Sequence, residues 1–178
     1  MGDIRLGMIH GRFQPFHNGH LDCLNWVAAH ADSIIVGITN PDPRDYSLEP
    51  LAPHRHDPEK NPYSYFLRAQ MVTAAAATLE LDLSRLTIVP FFLSVPRIWD
   101  HYVPRDCVHF VTILSDWEES KAKRIEAAGY HVVTRRVERG ISATAIRSAI
   151  ARGESIAELV PAGVRDVIVR LQARGIYS

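Results

Sequence analysis

The sequence is poor in cysteine, has no long apolar stretch and carries no excess of either charge. Its two cysteines, Cys23 and Cys107, lie far apart without the spacing of a zinc site, so we expect two unreactive thiols. Twenty basic residues balance twenty acidic ones, which argues against nucleic acid or an anionic membrane as a partner. No apolar run could span a bilayer, and residues 1–5 do not resemble a signal peptide. These absences predict a cytoplasmic protein, and they leave formation of a homo-oligomer open.

Short apolar runs alternate with stretches of helical spacing along the 178 residues. The run at residues 33–38 is continuous and β-branched, as in a strand buried on both faces of a parallel sheet. The alternation predicts an α/β fold with an open, doubly wound, mostly parallel sheet, in one domain over residues 1–178. The predicted strands are residues 6–9, 33–38, 86–90, 107–114 and 130–133, and the predicted helices are 21–27, 65–79, 115–129, 141–153 and a last one opened by Pro161.

The most informative stretch is residues 11–20, which connects the first predicted strand to the first predicted helix. Such a turn is where α/β proteins bind phosphate, because unpaired N–H groups and the helix dipole favour an anion. Glycine at this turn lets the backbone approach a ligand closely. His17 and His20 can then donate to phosphate oxygens around one point. A histidine pair alone is also compatible with a solvated helix cap.

A second cluster, in the last third of the chain, combines two hydroxyl groups with an arginine. Ser142 or Thr144 can cap a helix there, and Arg147 lies about one turn further on. The helix N–H groups, the hydroxyls and the guanidinium fork would together bind phosphate. A capping serine followed by an exposed arginine is common, so this cluster alone leaves a purely structural interpretation equally open.

Together the two stretches resemble the signatures of the nucleotidylyltransferase superfamily, GxFxPxHxGH and ISSTxxR. All positions of the first signature are present, and in the second an alanine replaces the middle serine. The chain is most similar to nicotinamide mononucleotide (NMN) adenylyltransferases of the archaeal type, which also carry the arginine found here as Arg12. Related cytidylyltransferases of phosphonate pathways share this architecture. The resemblance implies a Rossmann-like fold and an enzyme that transfers a nucleotidyl group and releases pyrophosphate.

The substrates that the resemblance implies are an NTP, ATP or CTP, and a small acceptor bearing a phosphate or phosphonate. The leading hypothesis is an adenylyltransferase that forms NAD from ATP and NMN, and the alternative is a CTP-dependent cytidylyltransferase for a small phosphonate or phosphate. Departures from the family pattern at residues 40–60, 67 and 114–118 bear on the substrates more than on the reaction. A non-catalytic nucleotide sensor is a third hypothesis, and the complete histidine pair counts against it.

The resemblance also implies roles for residues of the first motif, residues 11–20, and of the second motif, residues 141–147. His17 and His20 would bind the triphosphate, and His20 would donate to the α-phosphate in the transition state. The β- and γ-phosphates would be held by the second motif, while Mg²⁺ would bridge phosphate oxygens, with no protein ligand assigned. The predicted catalytic residues are His17, His20 and Arg147, and the predicted nucleotide-binding residues are Gly11, Arg12, Phe13, Gly19, Ser142, Thr144 and Arg147.

Three further residues are weaker candidates for binding the acceptor. Arg68 either contacts a phosphate or lies on the surface of its helix, and Trp99 either stacks on an acceptor ring or packs in the core. Arg55 belongs to the long, proline-rich connection of residues 40–62. A connection of that length is typical of a substrate loop, but also of a flexible surface segment.

Overall fold

The computed structural model describes residues 4–42, 60–138 and 140–175, in which strands and helices alternate. The strands are β1 (Ile4–Gly11), β2 (Ala31–Thr39), β3 (Leu86–Phe91), β4 (Val108–Ile113) and β5 (His131–Arg136). The α-helices are α1 (Asn18–His30), α2 (Tyr65–Thr78), α3 (Asp116–Ala127), α4 (Ala143–Ala151) and α5 (Ala162–Ala173). Two short 3₁₀ helices, Leu83–Arg85 and Pro96–His101, complete the described elements.

The strands form one sheet in the order β3-β2-β1-β4-β5, and all the neighbouring pairs are parallel. The strand order reverses between β1 and β4, so a crevice opens at their carboxyl ends. β1 pairs with β4 only at Gly7–Val108 and Met8–His109, whereas its pairing with β2 continues as far as Gly11. The crevice lies where the pairing of β1 with β4 ends. The predicted α/β fold with a parallel, doubly wound sheet is confirmed.

Two apolar layers cover the sheet, one on each face. The first layer contains α1, α2, α4 and α5, and the second contains α3 and the 3₁₀ helix Pro96–His101. The largest fully buried side chains belong to both layers: Trp99, Phe13, Phe16, Phe91, Phe110 and Met8. No helix among the described residues is long and apolar enough to cross a membrane.

Several predicted helix boundaries follow from local capping, as the sequence indicated. The hydroxyl of Ser64 accepts a hydrogen bond from the N–H of Leu67 at 3.3 Å, which caps α2. Ser115 and Glu118 form a capping box at the start of α3, with the Ser115 N–H donating to the carboxylate at 2.9 Å. Gly129 ends α3 with a φ of 86°, a conformation that other residues rarely adopt.

Gly163, near the start of α5, lies against the backbone of α2. A Cβ atom added at this position would come within 2.8 Å of the carbonyl oxygen of Ala74. Alanine is the better helix former by about 1 kcal/mol, but overpacking against backbone costs about 1–3 kcal/mol, so the clash should prevail. We expect Gly163→Ala to lower the free energy of unfolding, as measured in guanidinium chloride. The exposed-site variant Arg165→Ala on the same helix is the control, and an equal or higher stability of Gly163→Ala would contradict the packing argument.

Candidate active site

A cleft of about 510 Å³ lies at the carboxyl ends of β1 and β4, where the strand order reverses. It opens between the two apolar layers, so both faces of the sheet contribute to its walls. One wall comes from the first motif and from residues before α4, and the other comes from α3. Six predicted site residues line it: Gly11, Arg12, Phe13, His17, Gly19 and His20.

The turn of the first motif is held by packing and by a pair of hydrogen bonds. Phe13 is 2% exposed, and a Cβ atom at Gly11 would come within 2.9 Å of its ring, so a side chain there would have to displace this buried ring. The buried amide of Gln14 donates to the carbonyl of Tyr63 at 3.0 Å and accepts from the N–H of Tyr63 at 2.9 Å. These contacts fix the loop that leads into α1, so the turn is ordered before any ligand arrives.

His17 and His20 stack on each other at the start of α1. Their ring centroids lie 3.6 Å apart with an interplanar angle of 18°. The rings of His20 and Phe13 make an edge-to-face contact, with their centroids 4.8 Å apart. The N–H of His17 donates to Nδ1 of His20 at 3.2 Å. Because Nδ1 accepts this bond, a neutral His20 carries its proton on Nε2. The His20 imidazole therefore presents an Nε2–H donor, as a role at the α-phosphate requires.

Both motif histidines are neutral at physiological pH. Burial lowers the pKa of His17 to about 4. Burial also holds the pKa of His20 well below its ordinary value, with smaller contributions from His17, Lys121 and Arg12. A bound phosphate would raise both pKa values, since an opposite charge nearby favours the protonated form. In the free protein the pair can therefore act only as neutral hydrogen-bond donors and acceptors.

The buried histidines predict that the protein loses stability in mild acid. The unfolded chain takes up a proton at each histidine near pH 6.5, whereas folded His17 and His109 do so only at pKa values of about 4 and about 3. The free energy of unfolding should therefore be steady above about pH 6.5 and fall as the pH drops towards about 4. Denaturant unfolding across this range measures it.

A variant at one buried histidine tests the assignment of this pH dependence. His109→Leu removes a side chain that is fully buried, so the slope of stability against pH should become shallower. The exposed variant His131→Gln serves as the control and should keep the slope of the parent protein. An unchanged slope in His109→Leu would contradict a depressed pKa at this position.

The second motif lies against the first, although 133 positions separate Arg147 from Gln14. Ser142 caps α4 by accepting from the N–H of Ala145 at 3.3 Å. One terminal nitrogen of Arg147 donates to the carbonyl of Gln14 at 2.8 Å, and the other donates to the hydroxyl of Thr144 at 3.2 Å. The α1 and α4 N-termini thus converge on one region, as two phosphate-binding motifs must. The phosphate contacts of Ser142, Thr144 and Arg147 remain predictions.

The structure gives Arg68 a different position from either alternative proposed for it. Its side chain is 2% exposed, and burial lowers the pKa of the guanidinium to about 10. Its terminal nitrogens donate to the carbonyls of Arg12 at 3.0 Å, Thr39 at 2.7 Å and Asn40 at 2.8 Å. Both the surface interpretation and the phosphate contact are corrected: Arg68 fastens the first motif to the end of β2.

Trp99 lies in the core rather than in the cleft. It is 0% exposed, packs at 5.0 Å from Phe91, and donates its indole N–H to the carbonyl of Phe92 at 2.8 Å. The prediction that it stacks on an acceptor ring is therefore corrected, since neither face of the ring is open. The third acceptor candidate, Arg55, lies outside the described residues.

Sequence reasoning identified residues 114–118 as bearing on the substrates, but it missed Lys121 of α3 and His10 near the end of β1. Trp117, Glu118 and Lys121 line one wall, and His10 lies at the carboxyl end of β1. Trp117 and Lys121 are four residues apart, which places them on one face of α3. This spacing was the available signal, but it indicates a cleft only once the position of α3 over β4 is known.

Comparisons with known proteins agree with the fold. A phosphonoformate cytidylyltransferase from Streptomyces viridochromogenes is 41% identical over 164 residues, covering 91% of this chain and 89% of that protein. A nicotinamide-nucleotide adenylyltransferase from Thermococcus kodakarensis is 30% identical over 168 residues, covering 93% and 82%. The crystal structure of a bifunctional NMN adenylyltransferase/ADP ribose pyrophosphatase from Francisella tularensis has a TM-score of 0.70 at 16% identity, which shows a shared fold. It matches 97% of this chain, which spans about half of that protein, 51%.

Residues 8–149 match the cytidylyltransferase-like family, a range that contains the first motif, the cleft and the second motif. The chain therefore belongs to the cytidylyltransferase-like family. The enzyme class predicted from the two motifs, nucleotidyltransferase, is confirmed.

Proposed function

We propose that this protein is a CTP-dependent cytidylyltransferase that acts on a small phosphonate. The substrate class is that of the relative with 41% identity, a phosphonoformate cytidylyltransferase. The observation that carries the proposal is the burial of Trp99, which is 0% exposed. An NMN adenylyltransferase needs a surface for the nicotinamide ring, and the aromatic side chain expected to provide it is occupied in the core. A small acceptor without a ring needs no such surface.

The proposed reaction assigns a role to each group of motif residues. An oxygen of the phosphonate attacks the α-phosphorus of CTP, a new P–O bond forms, and the bond to the leaving pyrophosphate breaks. The attacking oxygen is already ionised at neutral pH, so catalysis consists mainly of positioning and charge stabilisation. His20 donates from Nε2 to the α-phosphate, where negative charge develops. His17 and the second motif hold the departing pyrophosphate.

We propose that Mg²⁺ binds together with the nucleotide, through its phosphate groups. No group of three or more His, Cys, Asp or Glu residues within the described ranges is arranged to hold a metal ion. Mg²⁺ usually binds through substrate phosphates and one or two carboxylates, so this donor set fits an ion brought by the triphosphate. Asp22 and Glu118 are the carboxylate residues lining the cleft. When bound, the ion would neutralise charge on the phosphate oxygens.

An NMN adenylyltransferase is the second candidate function. The relative from Thermococcus kodakarensis has that activity in its name and is 30% identical over most of both chains. Arg12 lines the cleft and would serve either acceptor, because both carry a phosphorus oxyanion. The two candidates share the mechanism and differ in the base and the acceptor.

The experiment that separates them is pyrophosphate release with Mg²⁺, in which CTP and ATP are each combined with phosphonoformate and with NMN. We expect release with CTP and phosphonoformate. Release only with ATP and NMN would replace the proposal by the second candidate. Binding of a nucleotide without release in any combination would favour a nucleotide sensor and overturn both.

A further inference from the structure

The wall of the cleft opposite the first motif carries a cation beside two buried histidines. Lys121 of α3 lines this wall together with His10, the next-to-last residue of β1. The ring of His10 stacks on Phe91 with centroids 5.4 Å apart, and its centroid lies 5.5 Å from that of His109. All four side chains lie on the sheet face covered by α3.

His10, which lines the cleft, and His109, whose ring neighbours that of His10, have hydrogen-bonding capacity that the described residues do not use. Nε2 of His10 is buried without a partner among those residues, and so are Nδ1 and Nε2 of His109. His10 is 9% exposed and His109 is 0% exposed. Buried polar atoms are nearly always paired, so unpaired ones beside a cleft indicate a position for water or a ligand.

Lys121 brings a positive charge to this wall, while Glu118 of the same helix brings a carboxylate that accepts from the N–H of Ser115. Burial holds the pKa of His10 well below its ordinary value, and Lys121 and His109 lower this pKa by smaller amounts. Lys121 likewise contributes to lowering the pKa of His109 and of His20. Lys121 itself lines the cleft, and His10 and His109 remain neutral near it.

We propose that Lys121 and His10 bind the second anionic group of the acceptor, a carboxylate attached to the phosphonate. This inference rests on the proposed function. An acceptor of this kind must direct one oxyanion at the α-phosphorus, which the first motif holds. Its other anionic group then needs a cation and a hydrogen-bond donor across the cleft. Lys121 provides the cation, and neutral His10 provides the donor in the tautomer that carries the proton on Nε2.

The test compares the steady-state constants of Lys121→Met with those of the parent protein. Loss of a charge-assisted hydrogen bond should raise KM for phosphonoformate by about 10- to 100-fold, with KM for CTP nearly unchanged. Lys121→Arg should recover much of the affinity, because it restores the charge. Lys123→Met is the matched control, since Lys123 is an exposed lysine on the same helix.

A second variant tests the histidine. His10→Phe keeps a ring to stack on Phe91 but has no nitrogen donor, so it should also raise KM for phosphonoformate, by about tenfold. Circular dichroism verifies that each variant is folded. An unchanged KM for phosphonoformate in Lys121→Met, or a rise confined to CTP, would overturn the inference.

Calorimetric binding of phosphonoformate to the free protein separates this inference from the proposed function. If CTP and phosphonoformate release no pyrophosphate, the proposed function fails. Weaker phosphonoformate binding by Lys121→Met than by the parent protein would still support the subsite. Equal binding, or no binding by the parent protein, would overturn it.

Discussion

Alanine in place of His20 should lower kcat by about 10²- to 10³-fold, because the variant lacks the Nε2–H donor at the α-phosphate. The ring has a further role, since its Nδ1 accepts from the N–H of His17 at 3.2 Å. The loss of this bond is expected to cost only about 1 kcal/mol, so the protein should remain folded. Pyrophosphate release under saturating substrates measures the effect, and circular dichroism verifies the fold.

Two further variants separate the chemical role of His20 from its structural one. His20→Asn keeps a side-chain acceptor for the N–H of His17 but lacks the distal donor, so it should be nearly as slow as the alanine variant. His30→Ala, at the other end of the same helix, should keep the turnover of the parent protein. Near-normal turnover in His20→Ala would refute the assignment of the transition-state donor.

The sequence predicts the fold and the first motif well because both depend on local patterns. The continuous run at residues 33–38 became β2, buried between neighbours on both sides. The motif at residues 11–20 predicted the turn between β1 and α1, where His17 and His20 now line the cleft. Glycine spacing, capping and apolar periodicity act over a few residues, so they can be interpreted without knowing the tertiary structure.

Predictions that depended on tertiary contacts were less successful. Trp99 has a polar edge and two faces, and nothing nearby in the sequence indicates that Phe91 and the carbonyl of Phe92 occupy them. Lys121 lines the cleft because α3 packs over β4, and this packing is not evident from the sequence. These residues and elements are near one another along the chain, but their contacts form only when the layers pack on the sheet, so no local pattern specifies them.

The position of Arg68 also depends on tertiary contacts, and removal of its guanidinium should strongly lower the stability of the protein. Its guanidinium binds three carbonyl oxygens at the junction of β2 with the first motif, at distances between 2.7 and 3.0 Å. In Arg68→Met, these carbonyls lose their donor while an apolar chain of similar length keeps the packing. We expect the free energy of unfolding to fall by about 3 kcal/mol, as measured in guanidinium chloride.

The loss of stability in Arg68→Met should come with weaker nucleotide binding, because the carbonyl of Arg12 would lose a bond that holds the motif. Arg68→Lys should be intermediate, since an ammonium group cannot reproduce the planar fork that contacts several carbonyls. Arg170→Met, at an exposed position of α5, is the control for removing an arginine. A variant of unchanged stability that still loses nucleotide affinity would contradict the role in the fold and return Arg68 to the phosphate contact predicted from the sequence. Stability and affinity must therefore be measured on the same preparation, because only their joint loss distinguishes a residue that positions the motif from one that touches the substrate.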